Sequence, residues 1–296
     1  FTDRFFMSHI DVAHLAASLG GGVASFFSLA FFTGVISYGN ALVAQYYGAG
    51  QYSKCSKVFS QSIIIALLCM PLLMPITYLV GTIFATMGHD SAQVALERGY
   101  YYILMVGGVF VLIKVGLASY FSGIGQTRVL MMCDMLGVMM NIPLSYVLVF
   151  GKLGLPAMGL AGAGFGTVVA NVFTMCLFLL VYFGRSNRKK FRVMSSFYFD
   201  RGVFYRYLRF GAPSGLELFV NMATFNLFLL MFQSYGVEQG AAITIVFNWD
   251  LLSFVPMIGI NISVMSLIGR CVGMGDMSRA NQVISSGFII ALSYSG

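Results

Sequence analysis

Apolar runs of membrane-crossing length decide what this chain can fold into. A helix needs about 20 consecutive apolar residues to span a bilayer. Eight runs reach or approach that length, at 13–46, 58–86, 99–123, 129–150, 159–184, 207–235, 238–269 and 282–296, with a shorter one over 1–9. Only 9% of the residues are charged, whereas a soluble domain carries about 25%. So few charges cannot cover a water-facing surface, and the outer face is expected to meet lipid. Pro71, Pro75, Pro143, Pro213 and Pro256 fall inside or near the runs, as spanning helices tolerate. Nothing alternates with period two over ten-residue blocks, which argues against a barrel. The fold class is all-α, a polytopic membrane protein with about nine helices wholly or partly present.

Charge distribution orients the runs. Thirteen of the seventeen Lys and Arg sit in one alternating set of loops, near 50, 126, 195 and 276. The other set holds only Arg98 and Lys152, beside Asp11, Asp90, Glu97 and Glu238. Positive residues stay inside, so the first set is expected on the cytoplasmic face of a cell membrane. The net charge of +7 is explained by orientation, and no nucleic-acid partner is expected.

One phrase is written twice. Residues 48–67, GAGQYSKCSKVFSQSIIIAL, and residues 273–292, GMGDMSRANQVISSGFIIAL, agree at nine of twenty positions at an offset of 225. The offset also pairs Val12 with Val237, Ala16 with Ala241, Ser28 with Ser253, Gly34 with Gly259 and Leu42 with Leu267. This is an internal repeat. Six spans separate equivalent points, so both copies enter the membrane in the same direction, related by an axis along the membrane normal. Two repeats of that length make twelve helices. The expected division is a first lobe over 1–184, a basic cytoplasmic linker over 185–206 and the start of a second lobe over 207–296. Phe1 in place of Met, and a last run broken off at GFIIALSYSG, are expected of a piece of a longer chain. Like-oriented bundles with a cavity between them suit alternating access; duplication without transport is the competing reading.

Enzymatic apparatus is not visible. The sequence has no GxxxxGKS/T loop, HExxH or GxSxG, the motifs that would signal nucleotide or hydrolytic chemistry. His9, His14 and His89 lie near outer loops. GAGFG at 162–166 lacks the last glycine of a nucleotide turn and reads as close helix packing. GAGQYS at 48–53 reads as a helix end and tight turn. The five cysteines show no metal-ligand spacing and read as core residues. No cofactor is expected.

Ionisable residues inside apolar runs carry the functional signal, because a charge in lipid costs several kcal/mol and faces a cavity or partner. Asp250 and Lys114 lie near mid-run, Glu217 about two turns from the inner surface and Asp3 about two turns from the outer end of the first helix. Asn141, Asn221, Asn226 and Asn248 add polar groups; Asp134 reads as interfacial. Lys114 and Asp3 also admit purely structural pairings, and Glu217 an interfacial position. A carboxylate in such a cavity can carry a proton or bind sodium, and an organic cation competes for the same charge.

The chain resembles the multidrug and toxic compound extrusion family. TDRFFMSHIDVAHLAASLGG with ALVAQYYGAG is similar to that family's start, and SYFSGIGQTR, NIPLSYVLVFG, GLAGAGFGTVVAN and RFGAPSGLELF follow in its order. The resemblance implies a two-lobed exporter exchanging protons or sodium for cationic organic compounds. It implies that Asp3 is the cation-coupling aspartate, with Asn141 and Thr167 as neighbours able to complete a site for a proton or sodium. Ser145 stands where some members have a second aspartate. Asn221 stands where some carry a glutamate; here the acid is Glu217, one turn earlier, and Asp250 is a second candidate. Lys114 is a possible charge partner. A monomer in the lipid bilayer, with small organic cations as substrates, is expected. The alternatives are a flippase for lipid-linked oligosaccharides, which calls for more cationic residues in the cavity, and a channel or receptor.

Overall fold

A computed structural model describes residues 2–7, 9–86, 91–152, 154–233 and 237–295. The side chains of 2, 12, 86, 226, 229–230, 232–233, 237–245 and 247–252 lie outside the described set. Among the described residues twelve α-helices follow one another: α1 (Thr2–Met7), α2 (Val12–Ser37), α3 (Gly39–Gly48), α4 (Tyr52–Ile83), α5 (Ser91–Val106), α6 (Gly108–Gly123), α7 (Thr127–Phe150), α8 (Gly159–Tyr182), α9 (Arg185–Phe191), α10 (Arg201–Gln233), α11 (Val237–Met274) and α12 (Met277–Ser295). No strand occurs among the described residues.

Five helical stretches are long and apolar enough to cross a bilayer: Ala13–Gly48, Tyr52–Ile83, Thr127–Phe150, Gly159–Tyr182 and Ser253–Met274. They become six when α5 and α6, bent by 47° at their junction, count as one span. The bend falls at Gly107–Gly108, where a glycine pair leaves the helix weak. α10 spans 33 residues but is less apolar, because Arg201, Arg206, Arg209, Glu217 and Asn221 are all exposed along it.

The run at 13–46 is broken at Tyr38. There the Tyr207 hydroxyl of α10 donates to the carbonyl of Ile36. A Cβ at Gly39 would collide with that hydroxyl. α10 therefore inserts a side chain into the break between α2 and α3.

The repeat is visible as structure. α2 starts at Val12 and α11 at Val237, α4 at Tyr52 and α12 at Met277, each pair 225 apart. The intervening turns use left-handed glycines at the same offset, Gly50 with φ 71° and Gly275 with φ 76°, a region other residues rarely adopt.

α3 and α11 meet at the ends bearing the basic turns. A Cβ on Gly48 would strike the Arg270 carbonyl, and a Cβ on Gly273 would strike that of Gln45. A Cβ on Gly269 would lie 2.8 Å from that of Ala44. Since 48, 45 and 44 become 273, 270 and 269 on adding 225, the contact is its own image under the repeat, with Ala44 and Gly269 on the axis. Arg270 adds two bonds to the Gly123 carbonyl, at 3.3 Å and 3.2 Å, and lies 5.1 Å from the Tyr47 ring centre. Ser266 donates to Ser122 O at 3.0 Å. Nearer mid-span, Gly34 and Gly215 bring α2 and α10 together, and Phe27 meets Phe219 with centroids 4.8 Å apart.

Within the first lobe, small residues close α7 on α8. A Cβ on Gly162 would meet Leu148, one on Gly166 would meet Ser145, and one on Gly137 would meet Thr174. The glycines of GAGFG thus serve helix packing.

Candidate cation site

Asp3 lies on α1, against α5, α7 and α8. The Tyr100 hydroxyl donates to its Oδ2 at 3.0 Å, and the Thr167 hydroxyl donates to the same oxygen at 2.8 Å. The other oxygen, Oδ1, is buried without a hydrogen-bond partner. Phe6, Met7, Tyr100, Leu160 and Ala163 form a buried apolar cluster beside the carboxylate. One face of the carboxylate is thus gripped and the other is bare, in surroundings where an unsatisfied charged oxygen is costly.

Asn141 on α7 completes the group. Its amide donates to Thr167 Oγ1 at 3.4 Å and to Ser145 Oγ at 3.3 Å. Asp3, Asn141, Thr167 and Ser145 therefore form one hydrogen-bonded set drawn from three helices. The close approach that permits it comes from Gly166, one residue before Thr167 and seated on Ser145.

A second polar step leads inward along α8. Asn171, one turn after Thr167, donates to the Thr167 carbonyl at 2.9 Å. Lys114 on α6 donates to Asn171 Oδ1 at 2.8 Å. Asp134 on α7 is within Coulombic reach of Lys114. Asp134, read from the sequence as interfacial, is half-buried, two turns from the start of α7 at Thr127.

Two of the remaining candidates are not brought to this group, and the others lie outside the described residues. Glu217 and Asn221 are exposed on α10, one turn apart. Asp250 falls within α11, its side chain outside the described residues, as are those of Asn248 and Asn226. His89 and Asp90 also lie outside them.

Sequence reasoning missed three residues. Tyr100 and Asn171 gave no signal because an uncharged polar tip in an apolar run is unremarkable. Glu97 was read as an outer-loop charge and is the clear correction: it lies within α5 and is only 1% exposed. Gln93, one turn earlier, donates to its Oε1 at 2.9 Å. Gly20 leaves room for the carboxylate, since a Cβ there would lie 3.0 Å from Oε1. The signal available was Gly20–Gly21–Gly22 on α2, a stripe without side chains that invites a large neighbour. Among the described residues no group of three or more His, Cys, Asp or Glu gathers.

Several long apolar helices, packed around a half-buried carboxylate, define a multi-pass membrane protein. The MatE family model matches residues 1–147 and 213–296. The chain belongs to the MatE, or multidrug and toxic compound extrusion, family. It is 27% identical over 296 residues to a probable multidrug resistance protein NorM of Pasteurella multocida, covering 98% of this chain and 63% of that one. Among solved structures it is similar to a multidrug resistance MATE family transporter of the MOP superfamily in an outward-facing conformation, with a TM-score of 0.88 and 21% identity over 99% of this chain and 64% of that one. It is also similar to a MOP superfamily transporter from Pyrococcus furiosus described as having a binding pocket of reversed polarity, with a TM-score of 0.85 and 21% identity over 99% of this chain and 64% of that one. The chain spans less than two thirds of the length of these proteins.

Proposed function

We propose that this chain is the first lobe and the start of the second of a multidrug antiporter of the cytoplasmic membrane, exchanging protons or sodium for organic cations by alternating access. The carrying observation is the half-buried Asp3 carboxylate, with Oδ2 held by Tyr100 and Thr167 and a buried, unpartnered Oδ1. An oxygen in that position accepts a proton or an inorganic cation, and the two hydroxyls keep it in place in either state. With the lobes closed at the basic-turn end, an ion arrives from the outer side. Neutralising Asp3 removes the charge that retains an organic cation.

The geometry suits a proton better than sodium. Asn141 turns its N–H group, not its oxygen, toward the site, so sodium requires that amide to rotate and a proton does not. The flippase reading is less well supported. Lys114, its main cationic candidate, is engaged by Asn171.

Efflux of a fluorescent organic cation from cells, with the proton and sodium gradients collapsed separately, tests the proposal. Asp3→Asn abolishes export with membrane insertion intact. Thr167→Val and Tyr100→Phe each lower it about tenfold or more, the loss of one bond to a charged acceptor. Undiminished export from Asp3→Asn removes the first-lobe site. Undiminished export with both gradients collapsed removes ion coupling.

A further inference from the structure

The segment joining the lobes has two unlike faces. Toward the first lobe it is anchored. Phe191 is 1% exposed and packs against Tyr52 and Tyr120, with centroids 5.9 Å and 5.8 Å away. Asn187 donates to Val181 O at 2.9 Å, and Gln61 of α4 donates to Tyr198 O at 2.9 Å. Lys57 of α4 pairs with Asp200 at 3.1 Å.

The outer face is cationic and aromatic. Arg185, Arg188, Lys189 and Arg192 are exposed, and none forms an ion pair with a described residue. Between Phe183 and Phe199 there is no acid. Beside these cations Phe183, Met194, Phe197 and Phe199 are exposed, with Phe183 stacked on Phe197 at 5.9 Å. The segment leaves one long helix at Tyr182 and enters another at Arg201, which sets it at the membrane–water boundary. Exposed rings at that level belong among lipid headgroups and upper acyl chains. Clustered cations immediately after a spanning helix attract anionic lipid.

We propose that residues 183–199 form a binding site for anionic phospholipid, the headgroup phosphate held by Arg188, Lys189 and Arg192 and the acyl region by the exposed rings. Charge complementarity selects this occupant: four cations with no acid among them meet a surface that carries net negative charge, and the rings exclude a purely soluble anion. Lys190 is not counted, because its ammonium already lies over Tyr47, Tyr52 and Phe191 at 5.2, 5.0 and 5.5 Å. The inference uses the membrane setting but not the antiporter reading, and its test does not measure transport.

The experiment places the protein in nanodiscs of phosphatidylcholine with and without phosphatidylglycerol. Retained lipid is measured by native mass spectrometry and unfolding temperature by scanning fluorimetry. Wild type and the outer-loop control Lys152→Gln retain phosphatidylglycerol selectively and unfold at a higher temperature with it. Arg188→Gln, Lys189→Gln and Arg192→Gln together lower that preference by about fivefold per cation removed. The charge-keeping pair Arg188→Lys and Arg192→Lys preserves it. Rising salt weakens it in wild type, a check that needs no variant. Equal retention of both lipids by wild type, an undiminished preference in the triple variant, or equal stabilisation by inorganic phosphate overturns the proposal.

Discussion

Valine at Gly48 or Gly273 should open the closed end of the molecule, and by similar amounts. A Cβ at Gly273 would fall on the Gln45 carbonyl oxygen, with Gln45 C at 2.9 Å and Ala49 N at 3.0 Å. At Gly48 it would fall on the Arg270 carbonyl oxygen, with Arg270 C and Cα both at 2.9 Å. All of these are backbone atoms, so no rotamer change relieves the overlap and α3 must move from α11. Overpacking of this kind costs about 1–3 kcal/mol, which shifts a two-state equilibrium by about 5–150-fold. Packing elsewhere changes little, because both clashes lie between α3 and α11. The readout is the distance between spin labels at Gln51 and Met277, exposed residues flanking equivalent turns on the two lobes. Each variant depletes the short-distance population, and alanine acts in the same direction with smaller effect. An unchanged distribution in both variants refutes closure through this contact. A shift in only one refutes its two-fold character.

Two further outcomes follow from the described contacts. Arg270→Met, which loses both bonds to the Gly123 carbonyl and the contact with Tyr47, should deplete the same closed population about tenfold, while Arg270→Lys retains part of it. Asp200 caps α10 through the N–H groups of Gly202 and Val203, both at 3.1 Å, and the Val203 N–H first, then the Lys57 ammonium, hold its carboxyl below the usual range. A depressed folded pKa gives stability that is complete above the unfolded value, about 3.9, and is lost as pH falls through the folded one. Asp200→Ala should therefore cost about 1 kcal/mol at neutral pH, measured by thermal unfolding. That difference should hold down to about pH 5 and shrink below about pH 4.

The repeat was the most legible part of the chain because it sets local boundaries. An offset of 225 residues, found by matching letters, recurs in the starts of α2 and α11 and in the left-handed turns at Gly50 and Gly275. What stayed hidden depends on distant partners. Gly39 is a local hint of the break at Tyr38, but the hydroxyl that occupies it belongs to Tyr207, 171 residues from Ile36. Glu97 misled because charge counting treats every acid beside a loop as solvated. Its burial is decided by a glycine stripe on another helix. Asp3, Asn141 and Thr167 were joined by family resemblance, not by spacing. Tyr100, the residue that grips Asp3 from α5, carries no charge to betray it.

Duplication repeated the scaffold without repeating the charge. The residue 225 positions after Asp3 is Phe228, on the α10 helix that stands in the corresponding place. The hydroxyls that hold Asp3 come from α5 and α8, which follow the first copy of the phrase. The closing contact, by contrast, is built from both copies and maps onto itself. Tyr100 joins the two arrangements: its hydroxyl reaches Asp3, and its ring lies 2.9 Å from where a Cβ on Gly21 would stand. Gly21 belongs to α2, the helix that breaks at Tyr38 and continues as α3 into the contact between the lobes. The asymmetric charge and the symmetric contact therefore meet on one helical stretch, α2 continuing as α3: Tyr100 touches it at Gly21, and the pairing with α11 lies at its far end.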